Sequence, residues 1–482
     1  MYEVLTISVS QRANHLATQF YNCQEEALPN SNPKDSVNPS IYLNPIIDRI
    51  SKTVSYEPRA LLWEAKNGFG SLGQYQYIPE SQDYHFNQNT QNPTDANIIS
   101  TQPKVERSEY QQALDLNPYE LPPLTVENTK YWSDYAKLIF GPKSFNSLQN
   151  WYHKVDSPNK PDYQNLDQCD FSTFEQGVQE FEVCKDDFFD TNLRYMLEQA
   201  DTLQGINLIT DLDSGWGGFS SQLLQELRDE LPKSTFFTFG FNEPDMFSGL
   251  RQSNNITRNK IKSTLQIRQE SDLFFPLFAD VQNLSNWQIG GQNCRLLDTI
   301  TSVISQRNEE QRRPMDHLVQ CLSGDDQLRN VITSMYDTST NYDYSYHPRV
   351  KQWEKTSHKL EDYHEFAHCL INRNGSDEIL TDEKTEEEAK KPNKFNDIRD
   401  LFTTKFRPSD TISEEYTETE LKSVKMTTSE KSRDVFKNWN MYISRAFKLD
   451  EDREELKDET SNLATAYETG YYDDEDSGDD DV

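Results

Sequence analysis

The stretch from Leu203 to Pro232 does most to limit what this chain can fold into. Gly205 to Leu212 is a short apolar run carrying Ile206, Leu208 and Ile209, which reads as a buried strand. A glycine cluster follows at once, with Gly215, Gly217 and Gly218 set around Ser214 and Trp216. Phe219, Leu223, Leu224, Leu227 and Leu231 then recur at helical spacing, with Gln225, Glu226, Arg228 and Asp229 on the other face. Strand, glycine loop and helix in that order put helix N-terminal amides where they can hold a phosphate.

The neighbouring segments extend this unit. Glu3 to Val9 and Pro58 to Ala65 read as further strands, and Thr235 to Phe241 as an aromatic one. Phe188 to Leu203 reads as a helix with Leu193, Met196, Leu197 and Ala200 on one face. Strands alternating with helices at these spacings predict a doubly wound parallel sheet. Ser81 to Lys104 is polar and without period, an insertion loop, and Asp377 to Lys394 is a charged linker or solvated helix. The expected division is 1–115, 118–306, 307–449 and an acidic, disordered tail at 450–482.

Net charge is −33, and the last 33 residues carry fifteen acids against two bases. A protein that grips duplex nucleic acid needs a basic footprint, so direct nucleic-acid contact is not expected. The one basic stretch, Arg251 to Arg268, holds Arg258, Lys260 and Lys262 and no acid. It reads as a solvated helix face or as a docking strip for an acidic partner. Six scattered cysteines form no CxxC pair, which suits a reducing compartment. No run of 18 apolar residues occurs, and the N-terminus resembles neither a signal peptide nor an Arg-rich presequence. The expected place is the cytosol, or an organelle surface reached from outside.

His364-Glu365-Phe366-Ala367-His368 matches the HExxH pattern, in which two imidazoles one helical turn apart hold zinc and the glutamate activates water. The third ligand would have to come from the polar segment holding Glu378 and Glu386 to Glu388. The plainer reading is preferred: an amphipathic helix from Leu360 to Leu370 with Tyr363, Phe366, Ala367 and Leu370 inward. No metal is expected.

Four segments in order resemble tubulin. EVLTISVSQRANHLATQFYN resembles its first strand, first nucleotide loop and first helix, with Gln11 and Asn14 where that loop has its Gln and Asn. Tyr56 to Gly68 (YEPRALLWEAKNG) resembles the next strand and acidic loop, with Glu64 as the acid, and Glu198 to Leu208 resembles the segment carrying Leu-Gln-Gly. The glycine loop with LLQELRDELP resembles the phosphate loop and its helix. With Trp132-Ser133-Asp134-Tyr135 and Asp213-Ser214-Gly215-x-Gly217-Gly218, the chain is similar to the Misato family. That resemblance implies an α/β, tubulin-like N-terminal half of Rossmann type and a mixed α+β C-terminal half. It also implies a role in partitioning mitochondria and inheriting mitochondrial DNA, in mitochondrion and cytoplasm, through protein partners that include tubulin or a chaperonin.

The residues themselves speak against nucleotide chemistry. Gln11, Asn14, Glu64, Ser214, Gly215, Gly217 and Gly218 mark the vestigial nucleotide loops. A phosphate cradle needs free amides and no fixed negative charge beside it. Here Asp211 and Asp213 stand at its mouth and Trp216 inside it, and the first loop, Ser10 to Asn14, has no glycine. The expectation is therefore a non-enzymatic protein without cofactor. A GTP- and magnesium-binding GTPase, or a tubulin assembly or chaperone cofactor, stands as the alternative.

Overall fold

A computed structural model describes residues 2–28, 37–47, 52–74, 105–117, 120–153, 163–165, 170–243, 251–281, 283–309, 311–324, 326–340, 342–344, 363–373, 399–448 and 450–468. The expected insertion loop at Ser81–Lys104, the linker at Asp377–Lys394 and the end of the acidic tail lie outside them.

Strand β1 (Glu3–Val9) is buried along its whole length, as a central strand covered on both faces must be. It runs into α1 (Gln11–Ala27). A two-stranded antiparallel ribbon, β2 (Leu43–Ile47) and β3 (Val54–Pro58), precedes β4 (Ala60–Lys66). Helix α2 (Glu109–Leu116), β5 (Phe145–His153) and the short β6 (Tyr163–Gln164) follow. Helix α3 (Phe174–Asp187) passes through a π-helical stretch, Phe188–Leu193, into α4 (Arg194–Glu198). Then come β7 (Leu203–Asp211), α5 (Gly215–Glu230), β8 (Thr235–Asn242), α6 (Arg251–Glu270) and β9 (Leu273–Phe278).

These strands make a seven-stranded sheet in the order β6-β5-β4-β1-β7-β8-β9, parallel except for β6. The chain builds outward from β1 on one side, then returns at β7 to build on the other. The carboxyl ends of β1 and β7 thus lie side by side at the point where strand order reverses, the usual ligand crevice of such sheets. One apolar core covers the α1 face with Leu16, Phe20, Phe239 and Phe275, and a second covers the α5 face with Trp63, Trp216, Phe219 and Phe181.

Helix α7 (Asn286–Ile304), buried along its length, packs on α1 and carries the chain into α8 (Met315–Ser323). A second, five-stranded sheet contains β10 (Ser334–Asp337), β11 (Tyr342–Asp343), β12 (Glu365–Asn372), β13 (Asp400–Phe402) and β14 (Ser423–Ser429). Its order is β11-β10-β14-β12-β13. Helices α9 (Lys431–Ala446) and α10 (Arg453–Ala466) close the fold as a hairpin. The chain is α/β and tubulin-like in its parallel sheet, with a mixed second half.

Two expectations are corrected. The HExxH segment is strand β12, not a helix: burial alternates from Phe366 to Asn372, with Ala367, Cys369 and Ile371 inward. A period of two won over a period of 3.6 because β14 lies alongside, pairing Cys369 with Met426. The second correction concerns the acidic segment from 450. Rather than being disordered up to its end, it forms α10, which buries Leu456, Thr460, Leu463 and Ala464. Tyr467 just beyond is fully buried, and its hydroxyl donates to the Val331 carbonyl at 3.1 Å and accepts from the Val331 amide at 2.9 Å.

Candidate functional site

At the carboxyl end of β1, Ser10 holds φ at 122°, a left-handed value that favours glycine, so the turn keeps a glycine's geometry without the glycine. Its hydroxyl caps α1 by accepting from the Ala13 amide at 3.1 Å. Gln11 donates to the Lys130 carbonyl at 3.5 Å. Asn14 donates to the Trp63 carbonyl at 2.9 Å and to Glu64 Oε2 at 3.3 Å. Glu64 is fully buried, its Oε1 also accepting from the Ala65 amide at 3.0 Å. Burial, the main cause, pushes its carboxyl up to about 8 against those two hydrogen bonds. Asn14 and Glu64 therefore do meet, at one buried and largely protonated acid, while Gln11 bonds to the Lys130 carbonyl instead.

That protonation has a measurable sign. An unfolded glutamate titrates near ~4.3. The folded form binds its proton up to about 8, so the stability it confers is full below the unfolded value and is lost as pH rises through about 8. In Glu64→Gln, the amide keeps an acceptor for Ala65 and offers a donor to Asn14 Oδ1, which is buried without a partner. The variant is expected to unfold at a higher temperature than the wild type at pH 8 and at nearly the same temperature at pH 5. Equal differences at the two pH values would rule this out.

Ser214, Gly215, Gly217 and Gly218 sit at the start of α5, where a phosphate cradle belongs, but the amides there are already bonded. Gly215 N–H donates to the Phe171 carbonyl at 3.1 Å, Trp216 N–H to Ser214 Oγ at 3.4 Å, and Gly217 N–H to the Ser214 carbonyl at 3.1 Å. Phe171 lies over the loop and packs with Tyr163 on Trp216, whose ring is fully buried. The glycines are used for close approach. A Cβ on Gly218 would lie 1.9 Å from the Phe174 carbonyl oxygen, and one on Gly217 would lie 2.1 Å from Ser263 Oγ. Gly177 on α3 answers from the other side, its Cβ position 1.8 Å from the Gly215 oxygen.

Beside this loop the first turn of α1 inserts a cation. The Arg12 guanidinium reaches Asp211 at 3.7 Å, Asp213 at 3.9 Å and Glu243 at 3.6 Å, with the arginine and both aspartates nearly buried. Burial opposes the arginine's charge, but the three acids outweigh it and raise its pKa. Burial also raises Asp211, which Arg12 pulls back down. Burial and the neighbouring Asp213 raise Glu243. Asp213 additionally accepts from the Glu243 amide at 3.0 Å. Arg12 and Glu243 were not among the residues expected here. The signal was topological: once β1 and β7 are neighbours in parallel, a base just after one and two acids just after the other must meet.

The other candidates resolve differently. His364 precedes β12 and His368 lies within it, so the two are four residues apart in extended chain, about 13 Å at ~3.3 Å per residue, instead of one helical turn. Glu365 instead pairs with His368 at 2.9 Å and Lys425 at 3.3 Å, both partly exposed. Among the described residues no group of three His, Cys, Asp or Glu is placed to hold a metal ion. The basic strip on α6 is not a free docking face. Arg258 pairs with Asp450, Lys262 with Glu175 at 2.8 Å and with Asp452 at 3.8 Å, and Arg268 with Glu459 at 3.6 Å. Its acidic partners are Glu175 of α3 and this chain's own C-terminal segment. Among the described residues no helix is long and apolar enough to cross a membrane.

Known families match in the same two blocks. Residues 2–116 match the Misato segment II tubulin-like domain, and residues 121–305 match the tubulin domain. The Kluyveromyces lactis protein named DML1 is 40% identical over 99% of both chains. The Eremothecium gossypii protein of that name is 38% identical over the full length of both, and that of Yarrowia lipolytica 26% over the same span. A nucleotide-type fold whose loops are closed by its own residues, joined to this end-to-end similarity, places the chain in the Misato/DML1 family of tubulin-like proteins.

Proposed function

We infer that the chain is a non-enzymatic, tubulin-like factor in the partitioning of mitochondria and the inheritance of mitochondrial DNA. It works at the mitochondrial surface and in the cytoplasm, through protein partners, and does not touch the DNA itself. Membership of the Misato/DML1 family supports the biological role. The observation that carries the non-enzymatic part is the closed crevice. Its leading amides bond to Phe171 and Ser214, and Arg12 with three acids fills the end of the sheet. Those residues do not fit a triphosphate, whose oxygens need free amides and whose charge would meet Asp211, Asp213 and Glu243.

Calorimetric titration of the purified chain with GTP and magnesium is expected to give no binding in the micromolar range; saturable micromolar binding would overturn it. For the biological role, a strain lacking the gene is expected to lose even mitochondrial distribution and to shed mitochondrial DNA. Normal distribution and retention of the genome would refute that part alone. The retained tubulin-like positions Gln11, Asn14 and Glu64 favour one second reading, a surviving GTP-binding protein, and the same titration decides it. Gly217→Val is a poor probe of that reading, because its side chain would strike Ser263 whether or not a nucleotide binds.

A further inference from the structure

Helices α1 and α7 cross closely: a Cβ on Gly290 would stand 3.0 Å from the backbone of His15. One turn further along α7, and two along α1, Cys294 and Cys23 face each other with their sulfurs 3.8 Å apart, both buried. A disulfide needs about 2.05 Å, so a side-chain rotation and a small shift suffice to close it. Gln24, beside Cys23, donates to Asp298 at 3.0 Å, one helical turn beyond Cys294. Asp298 also binds the guanidinium of Arg373, which donates to Ser302 Oγ at 2.6 Å and lies within electrostatic reach of both thiols.

Cys23 has a second neighbour, a cavity of ≈ 20 Å³ lined by Gln24, Ala27, Asp298, Lys405 and Arg407 among others. About 10–15 Å³ by this kind of measure holds one water, so the cavity admits a molecule the size of water or hydrogen peroxide. Glutathione is far too large. Cys294 does not line it. Burial, the largest cause, pushes the Cys294 thiol well above its ordinary range, with Arg373 opposing it, which suits Cys294 to the second step rather than the first. Cys184, by contrast, is buried against Glu180 at 3.8 Å and faces no thiol among the described residues.

We propose that Cys23 and Cys294 are a peroxide-oxidisable thiol pair that locks α1 to α7. Cys23 is the attacking sulfur, because it alone of the two lines the cavity. Its sulfur attacks one oxygen of hydrogen peroxide; an S–O bond forms, the O–O bond breaks, and the leaving oxygen departs as water with the thiol proton. The Cys294 sulfur then attacks the sulfenic sulfur of Cys23; the S–S bond forms, the S–O bond breaks, and a second water leaves with the Cys294 proton. Peroxide gains two electrons and the two thiols lose them. The lock ties the first helix of the parallel sheet to the helix that leads into the second sheet.

The test exposes the full chain to hydrogen peroxide, unfolds it, alkylates free thiols and maps peptides by mass spectrometry. A Cys23–Cys294 linked peptide that dithiothreitol abolishes is expected, with Cys184 still alkylated. Cys294→Ser should stop at a dimedone-reactive sulfenic acid on Cys23, and Cys23→Ser should leave Cys294 a free thiol. Full alkylation of both residues in the treated wild type would overturn the proposal, as would oxidation of Cys294 in Cys23→Ser. The wild-type map decides first and does not depend on the folding of either variant.

Discussion

Arg12→Met is expected to cost about 3–5 kcal/mol of stability, the usual penalty when one partner of a buried ion cluster is removed. Methionine keeps an aliphatic side chain but removes the guanidinium that lies over Phe241, and leaves Asp211, Asp213 and Glu243 facing one another without it. The carboxyls of Asp211 and Glu243, already raised by burial, must then hold protons to higher pH than now. The loss should therefore be small near pH 5 and grow as pH rises toward 8, because the folded variant binds protons that the unfolded chain has released. Urea unfolding at both pH values measures it. Adding Asp211→Asn should return part of the loss by removing one of the uncompensated charges. A penalty below about 1 kcal/mol at pH 8 would mean the cluster is too well hydrated to matter.

The second large effect is steric. Gly218→Ala and Gly177→Ala each place a methyl within 2 Å of a backbone oxygen, Phe174 in one case and Gly215 in the other. A side chain can rotate away; these oxygens cannot unless α3 and α5 separate. Each change is expected to cost about 3 kcal/mol, the upper part of the range for overpacking. Gly291→Ala on α7 is the control. Its nearest neighbour would be the Ile412 side chain at 3.3 Å, and alanine suits a helix better than glycine. That variant should fall within about 1 kcal/mol of wild type. If Gly218→Ala behaves like Gly291→Ala in urea unfolding, the glycines are not there for helix contact.

Much of the parallel sheet was legible in the chain because its signals are local. Ile206, Leu208 and Ile209, then Leu223, Leu224 and Leu227, announce a strand and a helix without help from elsewhere. Where the reading failed, the deciding partner was remote. His364 to Leu370 satisfies both a helical and an alternating pattern, and only β14, fifty residues on, selects the second. In α10 the composition misled: Glu454, Glu455 and Asp458 are on the outside, while Leu456, Leu463 and Tyr467 recur at intervals of seven and four on the inside. At the crevice the sequence showed why a phosphate is unwelcome, through Asp211, Asp213 and Trp216. It did not show that Arg12 answers those acids, or that Phe171 closes the loop, since both come from segments far away in the chain.

The clasp between α6 and the C-terminal hairpin has a consequence for the order in which the protein is made. Helix α6 is complete at Glu270, yet Asp450, Asp452 and Glu459, which neutralise its Arg258, Lys262 and Arg268, are synthesised some 180 residues later. At roughly 5–20 residues per second, that leaves the ribosome-bound chain for about ten to forty seconds with a basic helix lacking those partners. Val331, which Tyr467 caps, waits for the same residues. A nascent chain in that state presents positive charge beside apolar surface not yet covered by α10. Translation of residues 450–467 supplies those partners.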